Sequence, residues 1–304
     1  MKKSCIPTLL KKPYLFRRTT TLSLDEFSIL AYELEPEWKE REEARLSLRK
    51  RTNKVGQGRP YTLGSFDHLL LCALLFARTS VGYDLLGLFC GIDQSTVKRV
   101  VRRIMPLLMD RFIPVTELTP KKRRSNKLSD LLAEYPELAD VIFDGTELPI
   151  KRPKRRQKQS YSGKKKRHTK KVQVALDKKT KLVLTVSPLK KGRIHDKKQL
   201  ESTGWEECLP EDVRRSGDLG YQGMRNWKTP HKKPRGQPLT SVQKRENKRF
   251  AKERIVVEHG IRGMKMFRRI GETITQKTDE FLFTTVLAAA NLYNFKRLVR
   301  QGLG

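Results

Sequence analysis

The sequence predicts an α/β chain in two parts, an all-α N-terminal portion followed by a domain built on a sheet. Three observations predict it. Between residues 65 and 105, apolar residues recur at helical spacing in three short runs broken by glycine. From residue 141 onward, short β-rich runs take their place, at 141–143, 172–176 and 182–186, separated by turn residues. Two long helical patterns, 242–266 and 279–300, then close the chain.

The 304 residues carry 66 Lys and Arg against 33 Asp and Glu, a formal net charge of +33. That imbalance points to phosphate-rich partners held with salt-sensitive affinity. A basic scaffold such as a ribosome-associated protein satisfies the same composition, so the choice falls to the acidic residues. Cys5, Cys72, Cys90 and Cys208 lie far apart without a CxxC or Cys/His cluster, which argues against a disulfide framework or structural zinc. The apolar run at the start is too short for a signal peptide, and the longest apolar stretch, 68–77, is too short to cross a membrane. A soluble cytoplasmic protein, nucleoid-associated through its charge and without a membrane partner, is the expectation.

In chain order, residues 1–20 are basic and unpatterned and read as a loose arm. Ser23 and Glu26 form a capping box that opens a helix. Residues 37–50 are charged throughout, a solvated helix or linker, and 52–60 form a turn-rich joint. Residues 1–60 thus make a basic arm and a helical segment. In the 61–125 region, Leu69, Leu70, Leu74 and Leu75 face one helix inward, and Leu85, Leu86 and Phe89 a second. Gly91 breaks the chain, Asp93 or Ser95 caps the third helix, and Val97, Val100, Val101 and Ile104 form its apolar stripe. Off that stripe stand Gln94, Ser95, Lys98, Arg99, Arg102 and Arg103. A helix, a glycine turn and a basic helix have the shape of a DNA-reading helix-turn-helix; plain packing of a small bundle gives the same pattern.

Residues 126–304 form the expected catalytic domain. Residues 128–138 read as a helix, and 141–143 as a buried strand ending at Asp144. The stretch 151–172 holds twelve Lys and Arg and no acid, with a turn at 161–163. Lys164, Lys165, Lys166, Arg167 and His168 suit a DNA backbone, although a merely solvated hairpin would have this composition too. Tyr161 fits equally a base stack or a turn edge. Two strands follow around 177–180, then a helix after Asp196, a short strand ending at Gly217 and Asp218, and a helix carrying Glu258. Strand, basic hairpin, two strands, helix, strand and helices is the order of a ribonuclease-H-like core.

Asp144, Asp218 and Glu258 stand at structured positions between basic tracts. In a ribonuclease-H-like core, carboxylates on the first strand, after the fourth strand and on a later helix can hold two Mg²⁺ or Mn²⁺ ions against a phosphodiester. Asp196, beside His195, rivals Asp218 for the second place; otherwise that pair caps the helix after it. The glycines of 217–223 lack the pattern of a nucleotide-binding loop, so ATP dependence is not indicated.

Several segments together resemble a known family. They are Asp144-Gly-Thr146 with Arg152-Pro153, Tyr161-Ser-Gly-Lys-Lys-Lys-Arg-His-Thr169, Gly192-Arg-Ile-His-Asp196, Asp218-Leu-Gly-Tyr-Gln-Gly223, and Arg254, Glu258 and Lys265 at the spacing Arg, three residues, Glu, six residues, Lys. Over about residues 60–300 the chain is similar to bacterial insertion-sequence transposases of the DDE type, in the family named for insertion sequence five and related to the Harbinger transposases. The resemblance implies Asp144, Asp218 and Glu258 as catalytic metal ligands and Lys265 and Arg254 as phosphate contacts. It further implies double-stranded DNA (terminal inverted repeats and target) as the partner, and a homodimer on that DNA. The reaction implied is cut-and-paste transposition; a metal endonuclease without strand transfer and a non-catalytic DNA-binding regulator are the alternatives. Where the family has a tyrosine, this chain has Ala251.

Overall fold

The β1 strand, Asp140–Pro149, is the axis of the domain that holds the acidic residues. This computed structural model describes residues 4–48, 62–109, 111–112, 139–209, 212–274 and 278–302. The expected joint at 52–60 and the expected helix at 128–138 lie outside the described residues.

The N-terminal portion is helical: α1 (Ile6–Leu10), α2 (Pro13–Thr20), α3 (Leu24–Ser47), α4 (Phe66–Thr79), α5 (Tyr83–Cys90) and α6 (Gln94–Ile104). The first twenty residues differ from the loose arm expected of them. Ile6, Leu9 and Phe16 are buried against α4 and its neighbours, so Lys11, Lys12, Arg17 and Arg18 ride on the outside of a packed pair. The capping box forms as expected, with Glu26 N–H donating to Ser23 Oγ at 3.1 Å and Ser23 N–H donating to Glu26 Oε2 at 2.8 Å. The charged stretch after residue 37 continues α3, which Trp38 and Glu42 hold inward. In α6, Val97, Val100, Val101 and Ile104 are buried while Gln94, Ser95, Lys98, Arg99 and Arg102 are exposed.

The sheet follows, with α7 (Gln157–Ser160) inside a second basic stretch, residues 151–166, which is the basic arm of this domain, α8 (Asp196–Glu201) and α9 (Trp205–Cys208) on one face, and α10 (Ser241–Lys265), α11 (Arg268–Gly271) and α12 (Asp279–Arg300) at the end of the chain. Its strands are β1, β2 (Tyr161–Ser162), β3 (Arg167–Asp177), β4 (Val183–Val186), β5 (Lys190–Lys191), β6 (Arg214–Ser216) and β7 (Trp227–Lys228). The central order is β4–β3–β1–β6–β7, antiparallel from β4 to β1 and parallel from β1 to β7. β2 and β5 pair with the outer half of β3.

Strand alternation separates two apolar layers. Val141 and Phe143 join Leu184, Leu200, Trp205 and Tyr221 on the α8–α9 side. Ile142 and Leu148 join Val174, Leu176, Val257 and Ile261 on the α10 side, in one cluster that runs on into the N-terminal helices. β1 and β3 extend well past the apolar runs that marked them. Their ladder continues through Asp144↔Val174 to Pro149↔Thr169, so Asp144 lies within a strand and not at its end. Backbone pairing with β3 carries β1 past polar residues that no apolar pattern would flag. Where the basic arm leaves the sheet, Ile150 bridges Ile274: Ile274 N–H donates to the Pro149 carbonyl at 2.8 Å and Lys151 N–H to the Ile274 carbonyl at 3.2 Å.

Candidate active site

Parallel pairing of β1 with β6 places the residue after each strand's buried run at one end of the sheet. Asp144 is half-buried on β1, and its Oδ1 accepts from Gly145 N–H at 2.8 Å. Asp218 follows β6 and caps the single turn Leu219–Tyr221, its Oδ1 accepting from Gly220 N–H at 2.7 Å. Burial pushes the Asp144 carboxyl up to about 6, with the Asp218 carboxylate adding to the rise and Asp196 contributing further. Arg254 and the Gly145 N–H pull against it. Two of the three expected carboxylates therefore share one pocket, and the rival, Asp196, is there with them.

Glu258 is not drawn into that group. Its side chain is 57% exposed and lies 3.7 Å from Arg254 Nη2, one helical turn back on α10. Arg254, whose Nε is buried without a hydrogen-bond partner, is an α10 group whose charge reaches Asp144. Among the described residues no three acidic, histidine or cysteine side chains stand ready as a metal cage. The donor chemistry nonetheless suits a hard divalent cation, since Asp144 and Asp218 offer only carboxylate oxygens.

Lys265 ends α10 with its Nζ donating to the Glu147 carbonyl at 3.1 Å. Burial lowers its pKa, as does Lys165 from the basic turn, while Glu147 and Asp144 oppose the shift. Lys165 and Lys265 thus form a cationic rim on the Asp144 side. Lys164, Lys165, Lys166 and Arg167 are exposed where β2 turns into β3, and His168 packs edge-on to Tyr161 at 5.5 Å between centroids. An open basin of about 480 Å³ lies over this hairpin, bordered by Arg152, Lys158, Tyr161, His168 and Arg193. Gln94, Ser95, Lys98, Arg99 and Arg102 sit together on α6, away from the acidic pocket in sequence but on one exposed face. Ala251 is exposed on α10, so the missing tyrosine leaves no gap in the core.

Two residues of the pocket escaped the sequence reading. Lys171, taken as part of the basic run, is buried and pairs with Asp196 Oδ1 at 2.7 Å. Tyr221 is fully buried with its hydroxyl unpartnered, and burial followed by Asp196, Asp144 and Asp218 raises its pKa well above the ordinary value. Alternation along β3 puts Lys171 on the face of Gln173 and Ala175, opposite Val172, so the residues there read as a polar face and only the cover from the α8 side buries Lys171. Tyr221 stood within the Asp218–Gly223 motif without a sign of its burial.

Comparison with known proteins matches residues 143–294 to the DDE superfamily endonucleases, a span that begins one residue before Asp144 and includes Asp218 and Glu258. The protein described as the transposase for insertion sequence element IS702 of Microchaete diplosiphon is 31% identical over 81% of this chain and 85% of its own length. The corresponding protein for insertion sequence element IS112 of Streptomyces albus G is 27% identical over 72% of this chain and 76% of its own. A solved pre-cleavage Mos1 transpososome covers 85% of both chains at 15% identity, but its TM-score of 0.19 carries no argument. By its sequence relatives and its matched domain, the chain belongs to the DDE superfamily endonucleases, as an insertion-sequence transposase.

Proposed function

We propose that this transposase excises and inserts DNA by a cut-and-paste route. It would cleave at terminal inverted repeats and then use the freed 3′-hydroxyl to attack target DNA. The observation that carries the reading is the meeting of Asp144, midway along β1, with Asp218, just past the end of the paired β6, beside an α10 helix that presents Arg254, Glu258 and Lys265. The order β4–β3–β1–β6–β7, with its antiparallel and parallel halves, supports a ribonuclease-H-like core. The motif run from Asp144 to Lys265 supports placement with the family named for insertion sequence five.

DDE endonucleases depend on divalent metal, and we assign two Mg²⁺ or Mn²⁺ ions here, held by Asp144 and Asp218 with Glu258. Bound ions would activate the attacking water or 3′-hydroxyl and stabilise the departing oxygen. The chain's own groups do the rest. Arg254 spans the gap between Asp144 and Glu258 and can release the latter once phosphate neutralises it. Lys265 and Lys165 hold a phosphate beside the acids, and Lys164, Lys166, Arg167 and His168 follow the backbone outward. Gln94, Ser95, Lys98, Arg99 and Arg102 form the reading face of a helix-turn-helix, and a homodimer pairs the two ends.

A strand-transfer assay tests this, using a duplex that carries the inverted repeats flanking the gene, with Mg²⁺ or Mn²⁺. Joined product is expected. Cleavage without joining would make the protein a metal endonuclease, and binding with neither would make it a DNA-binding regulator.

A further inference from the structure

Asp196 occupies a place that two separate segments leave open for it. It is the first residue of α8, and its carboxylate lies between the backbones that carry Asp144 and Asp218. A Cβ on Gly145 would stand 2.2 Å from Asp196 Oδ1. A Cβ on Gly220 would stand 2.9 Å from Asp196 Oδ2 and 2.8 Å from Asp218 Oδ1. Any side chain at either glycine would push Asp196 out, so the close approach requires glycine at both.

The backbone beneath Asp196 is fixed. Gln173 Nε2 donates to the Asp196 carbonyl at 2.7 Å, and Gln199 Nε2 donates to Ser187 Oγ at 3.1 Å and to the Lys171 carbonyl at 3.3 Å. The charge is balanced by Lys171, whose Nζ also donates to the Ile194 carbonyl at 3.2 Å. A buried ammonium is costly without an anionic partner, and Asp196 is that partner. Against this matched pair stands Tyr221, whose ring would meet a Cβ on Gly217 at 2.4 Å. Its buried hydroxyl has no acceptor or donor partner, although three carboxylates act on it. A buried hydroxyl left unpaired beside three carboxylates is a polar group that the oxygen shell of a bound cation would satisfy.

We propose that Asp196 joins Asp144 and Asp218 as the third carboxylate for a hard divalent cation in the DNA-free chain, and that Lys171 is the internal counterion the cation displaces. Glu258, exposed and tied to Arg254, is then a ligand of the DNA-engaged state. This rests on the reading of the pocket as a divalent-ion site.

The test is Mn²⁺ binding to the full chain without DNA, by calorimetry and by electron paramagnetic resonance, with a thermal melt of each variant. Asp196→Asn is expected to weaken binding about tenfold, and Glu258→Gln to weaken it less. Lys171→Met, which replaces the ammonium with an apolar chain of similar length, is expected to tighten it. Unchanged affinity in a folded Asp196→Asn variant overturns the proposal. Should that variant fail to fold, Lys171→Met decides, since unchanged or weaker binding there overturns it as well. Asp144→Asn separates this from the parent reading: if it keeps the full Mn²⁺ affinity, the ion lies elsewhere and the proposed function loses its metal site.

Discussion

The guanidinium of Arg269 lies 3.8 Å from the ring centre of Phe76, joining the end of the catalytic helices to the core of α4. The same group donates from Nη2 to the Val81 carbonyl at 2.6 Å and from Nη1 to the Ser80 carbonyl at 3.3 Å. Arg78 answers from the other side, donating to the Met266 carbonyl at 2.6 Å. The turn that leads into α5 and α6 is therefore held to α11 by side chain and backbone together.

Replacing Arg269 with Met keeps the contact with Phe76 but strands two carbonyls beside an apolar chain. The expected cost is about 3 kcal/mol, read as a lowered midpoint in urea unfolding. A loss below about 1 kcal/mol would mean that water satisfies both carbonyls.

Asp144 makes stability depend on pH. Its folded carboxyl holds a proton up to about 6, against an ordinary value of 3.8. The resulting stabilisation is complete below the unfolded value and is lost as pH rises through the folded one. Asp144→Asn removes that dependence. In chelator, the variant is expected to exceed the parent at pH 7 by about 2 kcal/mol after solvent screening and to lose the advantage toward pH 4. The same variant is expected to bind DNA and not cut it; unchanged cleavage would remove Asp144 from the chemistry.

Neutralising Lys164, Lys165 and Lys166 together tests the basic turn as a backbone contact. The slope of log affinity against log salt is expected to flatten by about 3, with a uniform loss across DNA sequences. A slope equal to the parent's would leave these lysines merely solvated.

α10 comes nearest the sheet at Gly260, where an added Cβ would stand 2.3 Å from Leu176 Cδ2. Leu176 is fully buried and cannot swing away. Gly260→Ala is expected to cost about 1–3 kcal/mol through overpacking and to lower cleavage by lifting Glu258 and Lys265 off the sheet. A folded variant with parental stability and cleavage would show that the helix shifts freely.

What could be read in advance followed from periodicity. The apolar stripe of α6, the capping box of α3 and the two long C-terminal helices all declared themselves through spacing that one element satisfies alone. Asp144 was legible because it follows the apolar run 141–143, and Asp218 because it sits among the turn glycines of 217–223. The lengths of β1 and β3 were not, because their outer halves are polar and exist through pairing with each other. Lys171 and Arg269 were hidden for a related reason: each is a cation buried by a partner distant in sequence, and composition assigns cations to the surface. Glu258 illustrates the opposite case. Its sequence context suggested convergence with the two aspartates, yet its side chain stays exposed on α10, 3.7 Å from Arg254.

The bridge between Ile150 and Ile274 has a mechanical consequence. It pins the base of the basic arm, at residues 149–151, to the segment that follows α11. Three residues before Ile274 the chain is still in α11, whose Arg269 grips the turn ahead of α5. One short stretch of chain, residues 269–274, therefore fastens both the root of that arm and the turn ahead of α5.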